Sequence, residues 1–193
     1  YIDKLPKQKV DGWRGVSERF KHIHLNNNFT QTYEIISSVI RKKERIWKKF
    51  QNDYAEAFAA LLDRYAPHAI FSDMNREECD KTIRGCYPLH SVTTFILPRL
   101  SERVAQNERT LFTFLSAKGV STLPTFLEEY SDEDFRVITP DVVFDYFEPL
   151  FRKESYTNEL HKNYLLTKAI LEKLNENSLD AKIIKALSLI YIL

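Results

Sequence analysis

The run Arg41-Lys42-Lys43-Glu44-Arg45-Ile46-Trp47-Lys48-Lys49 places six cations and an indole within nine residues. Lysines and arginines neutralise phosphates, and an indole can stack on a base, so the run is a candidate nucleic-acid contact. The competing reading is a solvated helix face whose Trp47 turns into the core. Glu128, Glu129, Asp132, Glu133, Asp134, Asp141, Asp145 and Glu148 form an opposing acidic stretch. Carboxylates at that density suit a metal or a partner, but loops and helix N-termini favour acids in any case. His22 and His24 alternate on one face of a short segment, without a third ligand at useful spacing. His90 follows Tyr87-Pro88-Leu89, where it can cap the next helix. Cys79 and Cys86 form no CxxC pair, which argues against a disulfide framework and a structural zinc site. No Ser/His/Asp or Cys/His constellation is recognisable, and no metal site is expected.

The elements that must carry these residues are helices. The chain has 193 residues, a formal net charge of +1 and only four glycines. That glycine usage is about a third of the usual ~7%, which disfavours hairpin-rich folds. Neither GxxxxGK[ST] nor GxGxxG occurs, so no phosphate loop lies in this sequence. Near-neutral charge supplies no global field for nucleic acid or anionic lipid. No signal peptide or spanning segment is visible, and no membrane partner is expected. The chain lacks an initial Met and ends in Ile190-Tyr191-Ile192-Leu193; we read it as a part of something longer, its apolar end covered by a neighbour.

Apolar periodicity gives a mainly α fold, a multi-helix lid-type bundle with at most two very short strands. Period-2 alternation puts one strand at residues 20–25. Three- and four-residue steps predict helix over 30–65, broken near 41–44 and stopped by Pro67. Further helices are expected over 75–84, closed by Gly85, and over 90–104, bent at Pro98. Others span 108–117, capped by Asn107, and 123–130. Val137-Ile138 is the second brief strand. Thr139-Pro140-Asp141 then starts a helix over 142–151, followed by 156–174 and 179–193.

Two stretches carry a resemblance. Val16-Ser17-Glu18-Arg19-Phe20-Lys21-His22-Ile23-His24-Leu25, followed by a helix, resembles the end of an AAA+ ATPase core, where an Arg-Phe pair precedes the last core strand. Tyr87-Pro88-Leu89-His90 and the run from Leu97 through Gln106-Asn107-Glu108-Arg109 to Phe112 resemble the lid of large bacterial ATP-binding proteins related to phage-resistance ATPases. That resemblance implies residues 1–29 as the end of an ATPase core, 30–118 as a helical lid and 119–193 as a second, truncated helical subdomain. It implies Arg19 as the candidate arginine finger and Arg109 as the candidate sensor of the γ-phosphate. ATP and Mg2+ would be cofactors of the full-length protein, bound by a P-loop core of the same chain before Tyr1. Oligomer neighbours, and DNA reached through the parent complex, are the further partners implied, with a cytoplasmic location. The fragment itself would not be catalytic. A helical scaffold for protein partners, or a nucleic-acid module built on residues 41–49, are the alternatives.

Overall fold

The computed structural model describes residues 29–105, 109–130, 134–153 and 158–193. Arg19, the 20–25 strand, Gln106, Asn107 and Glu108, and Asp132 and Glu133 of the acidic stretch lie outside the described residues. The architecture is mainly α. The helices are α1 (Phe29–Val39), α2 (Glu44–Asp53), α3 (Ala55–Tyr65), α4 (Arg76–Cys86), α5 (Ser91–Ala105), α6 (Arg109–Ser116), α7 (Leu123–Glu128), α8 (Pro140–Lys153), α9 (Glu159–Leu171) and α10 (Leu179–Ile192). Among the described residues no helix is long and apolar enough to cross a membrane.

Local chemistry accounts for most of the boundaries. The apolar run over 30–65 breaks at residues 40–43 as expected, and again at Tyr54, whose backbone (φ −113°, ψ 28°) leaves the helical region. One long periodic segment therefore folds as three helices. α4 starts on a reciprocal capping box: the Asn75 side chain accepts from the Glu78 N–H, and the Glu78 carboxylate accepts from the Asn75 N–H. α9 and α10 start on Asn158 and Ser178, each side chain accepting a backbone N–H of the first turn. α8 begins at Pro140 with Asp141 in its first turn.

Gly85 does not close α4; it lies inside it. The helix ends one residue later because Tyr87 precedes Pro88, and a residue before proline avoids helical backbone. Gly85 is needed for another reason: α1 crosses α4 there, and a Cβ on Gly85 would stand 3.0 Å from Ser37 Cβ and collide with Ser37 Oγ. α5 continues through Pro98, which removes the N–H that would bond the Thr94 carbonyl.

α5 is the central helix, packed against α1, α6, α8 and α10. Ile96, Leu97 and Leu100 on it are fully buried, against Phe114 of α6, Phe147 and Phe151 of α8, and Leu189 of α10 within one core cluster. The expected strand at Val137-Ile138 is a single parallel bridge between Leu89 and Ile138. Ile138 N–H donates to the Pro88 carbonyl at 2.8 Å and His90 N–H to the Ile138 carbonyl at 3.1 Å.

The α1–α4 crossing generates a prediction of sign. An alanine in a helix interior normally gains about 1 kcal/mol over glycine, but overpacking costs ~1–3 kcal/mol. Gly85→Ala should therefore lower unfolding stability in urea. A gain would show that the helices do not meet there.

Candidate functional site at the Tyr87-Pro88 crevice

Two stretches far apart in sequence meet in one place. The basic run and the Tyr-Pro motif together line an apolar crevice of about 170 Å³, walled by Lys42, Ile46, Trp47, Pro88, Leu127 and Tyr130. The Tyr87 ring is its inner support. Its centroid lies 5.7 Å from Trp47, 5.2 Å from Phe50, 5.5 Å from Phe58 and 5.2 Å from Phe135. The Tyr87-Pro88 peptide is cis. Tyr130 Oη donates to the Asp134 carbonyl at 2.7 Å, so its oxygen accepts from Tyr87 Oη at 2.8 Å. Burial, and then this bond, raise the Tyr87 phenol far above its ordinary value.

The cations of residues 41–49 divide into two sets. Arg41, Lys43, Arg45, Lys48 and Lys49 are exposed, and Lys48 pairs with Glu44 at 2.7 Å across one turn of α2. Lys42 turns inward. Its Nζ donates to the Gly85 carbonyl and lies 5.0 Å from the Trp47 ring centroid. Burial lowers its amine to about 8, partly opposed by the nearby Cys86 thiol. That thiol is itself pushed up to about 12 by burial. Trp47 stacks on Phe50 and meets Phe58 edge-on. With Lys42 over its ring as well, its π surface serves the core and the crevice wall.

His90 caps α5. Its Nδ1 accepts the Val92 N–H at 3.3 Å, which leaves the proton on Nε2, 3.4 Å from Tyr65 Oη. Burial, with Arg64 adding to it, lowers its pKa, so the imidazole is neutral near pH 7. Its role in this geometry is to hold the end of α5.

Arg109 is the first residue of α6. That helix is held by buried Leu111, Phe114 and Leu115, and by Tyr146 Oη donating to the Thr110 carbonyl at 3.1 Å. Three of the described acids in the acidic stretch, Glu128, Asp145 and Glu148, form ion pairs, Glu128 with Lys118 at 2.8 Å. Asp145 meets Lys185 at 2.7 Å, and Glu148 receives Arg152, Tyr164 and Lys168. Burial raises the Asp145 carboxyl, with Lys185 opposing. For Glu148 burial also pushes upward, but Arg152, Tyr164 and Lys168 hold the carboxyl below its ordinary value. Asp145, Glu148, Tyr164, Lys168 and Lys185 line a cavity of about 320 Å³ between α8, α9 and α10. Among the described residues no three His, Cys, Asp or Glu side chains group as metal ligands.

Sequence reasoning missed Phe135, Tyr130 and the inward turn of Lys42. Phe135 sits in a loop without periodicity. The only hint for Lys42 was its place at the break between two helices.

Lys42 leaves a measurable pH signature. The unfolded amine titrates near 10.5 and the folded one near 8. Between those values the unfolded chain binds more protons, so this group makes stability rise with pH from about 8 to 10.5, by about 3 kcal/mol at most. Urea unfolding at a series of pH values should show that rise in the native chain and lose it in Lys42→Met. An unchanged profile in the variant would remove Lys42 as its source.

No protein-family model, curated protein or solved structure matches the chain.

Proposed function

We propose that this chain is the helical, nucleotide-responsive lid of a larger bacterial AAA+-like ATPase of the phage-defence type, and that it transmits nucleotide state without performing chemistry itself. The observation that carries the reading is the position of Arg109 at the N-terminal end of α6. Four unpaired backbone N–H groups and the helix dipole make such an end attractive to anions. The resemblance of Gln106-Asn107-Glu108-Arg109 to the sensor segment of ATPase lids points to the same residue. The mainly α bundle around α5 supports the reading, since a lid must move as one packed body.

In the parent protein, ATP with Mg2+ would supply the phosphoryl chemistry from a P-loop core of the same chain. Arg109 would hold the terminal phosphate through its guanidinium fork. Loss of that phosphate on hydrolysis would release the contact and let the bundle turn against the core. Arg19 would serve a neighbouring subunit as arginine finger. The location would be cytoplasmic, with oligomer neighbours and DNA reached through the assembly.

A second reading, a scaffold for a protein partner, has one specific observation in its favour. Leu187, Ile190 and Tyr191 on α10 are 54%, 53% and 79% exposed, with Leu179 and Ile183 at compatible helical spacing.

The two readings separate experimentally. The lid reading requires GxxxxGK[ST] elsewhere in the parent chain, and Arg109→Ala in that protein should slow ATP turnover by at least about tenfold while circular dichroism stays unchanged. Normal turnover in a folded variant would reject the role of Arg109. Leu187→Glu should leave turnover alone under the lid reading; under the scaffold reading it abolishes partner capture without any nucleotide effect.

A further inference from the structure

Arg99 is held differently from the arginines that form ion pairs. Arg76, Arg84 and Arg152 each meet a carboxylate: Asp63, Asp80 and Glu148. Arg99 has no ion-pair partner among the described residues. Its guanidinium carbon lies 3.7 Å from the ring centroid of Phe95, one turn earlier on α5, and 3.9 Å from that of Phe29 at the start of α1. Nη1 donates to Tyr33 Oη at 2.6 Å and to the Phe95 carbonyl at 3.0 Å. Nε and Nη2 make no hydrogen bond among the described residues.

Two aromatic faces and two hydrogen bonds fix the plane of this fork, so little side-chain entropy is left to lose on binding. The fork lines a cavity of about 350 Å³ together with Thr30, Tyr33, Phe71, Asp73 and Met74. Tyr33 is almost wholly buried, and its oxygen accepts from Arg99, which leaves its own O–H proton to donate. Burial raises the Tyr33 phenol, outweighing the opposing effect of Arg99, so that proton is retained at ordinary pH.

We infer that Arg99 and Tyr33 form an oxyanion-binding site, in which one carboxylate or phosphate group accepts from the free edge of the guanidinium and from the tyrosine hydroxyl. Both anions share the geometry of two acceptor oxygens facing a planar fork. Asp73 lines the same cavity and sets the preference between them, because its negative charge opposes a dianion more strongly than a monoanion. The site does not depend on the ATPase reading or on Arg109.

The test is a titration of the full chain with acetate and, separately, with inorganic phosphate at constant ionic strength, read by NMR from the Arg99 Nε–H and from the backbone amide at position 33. A saturable shift with either anion is the expected result, and the anion that saturates first names the source. Arg99→Lys keeps the charge without the fork, and Tyr33→Phe keeps the ring without the donor. Each should weaken binding about tenfold or more, read in both variants at the position-33 amide. Asp73→Asn should tighten binding, more for phosphate than for acetate. The proposal is overturned if neither anion gives a saturable shift. It is equally overturned if both Arg99→Lys and Tyr33→Phe bind as the native chain does, or if Asp73→Asn weakens binding.

Discussion

The ring of Tyr87 lies within about 6 Å of four other aromatic rings from three different parts of the chain, and its hydroxyl begins a relay through Tyr130 to the Asp134 carbonyl. This cluster is the join on which the remaining structure depends. Trp47 and Phe50 bring α2 to it, Phe58 brings α3, and Phe135 brings the loop that leads into α8. Immediately after it, Leu89 and Ile138 form the one bridge among the described residues, and His90 caps α5. The start of the central helix is thus set by the same few residues that hold the early helices. Aromatic pairs of this kind add roughly 0.5–1.5 kcal/mol each beyond their buried area, and a cluster shares that benefit among all its members.

Charge is arranged around this apolar centre in two different ways. Where cations and acids face each other they pair, as Lys185 does with Asp145 and Arg152 and Lys168 with Glu148. Exposed pairs such as Lys48–Glu44 contribute little to stability. Lys42 and Arg99 belong to neither pattern. Lys42 lies over one aromatic ring and Arg99 over two, and each donates to a backbone carbonyl in place of a carboxylate. A cation held in that way is desolvated without being neutralised, which lowers the amine of Lys42 but leaves an arginine charged. The near-zero net charge of the chain conceals this inequality between sites.

The helices of this bundle were legible where periodicity and caps agree. Asn75 with Glu78 and Pro140 with Asp141 state their helix starts in the sequence, and the break at residues 40–43 follows from the loss of apolar spacing there. The second break, at Tyr54, was not legible, because Phe50, Tyr54 and Phe58 keep helical spacing across it. Gly85 misled for a comparable reason: a glycine near a helix end suggests a cap, whereas this one accommodates Ser37 from another helix. Of the candidate site residues, Trp47 and Tyr87 were singled out separately, but nothing local links positions 40 residues apart. Arg99 was passed over because its helix reads as an ordinary apolar stripe; its significance comes from Phe29 and Tyr33, which only the packing of α1 on α5 supplies.

The aromatic cluster and the helical bundle should unfold as a single cooperative unit. Substituting Trp13 by Phe leaves Trp47 as the only indole, placed inside that cluster. Urea unfolding of this chain, followed by Trp47 fluorescence and by far-ultraviolet circular dichroism, compares loss of the cluster with loss of the helices. Superimposable transitions are the predicted result. Trp47 becoming solvent-exposed at lower urea, while the helical signal persists, would contradict the account.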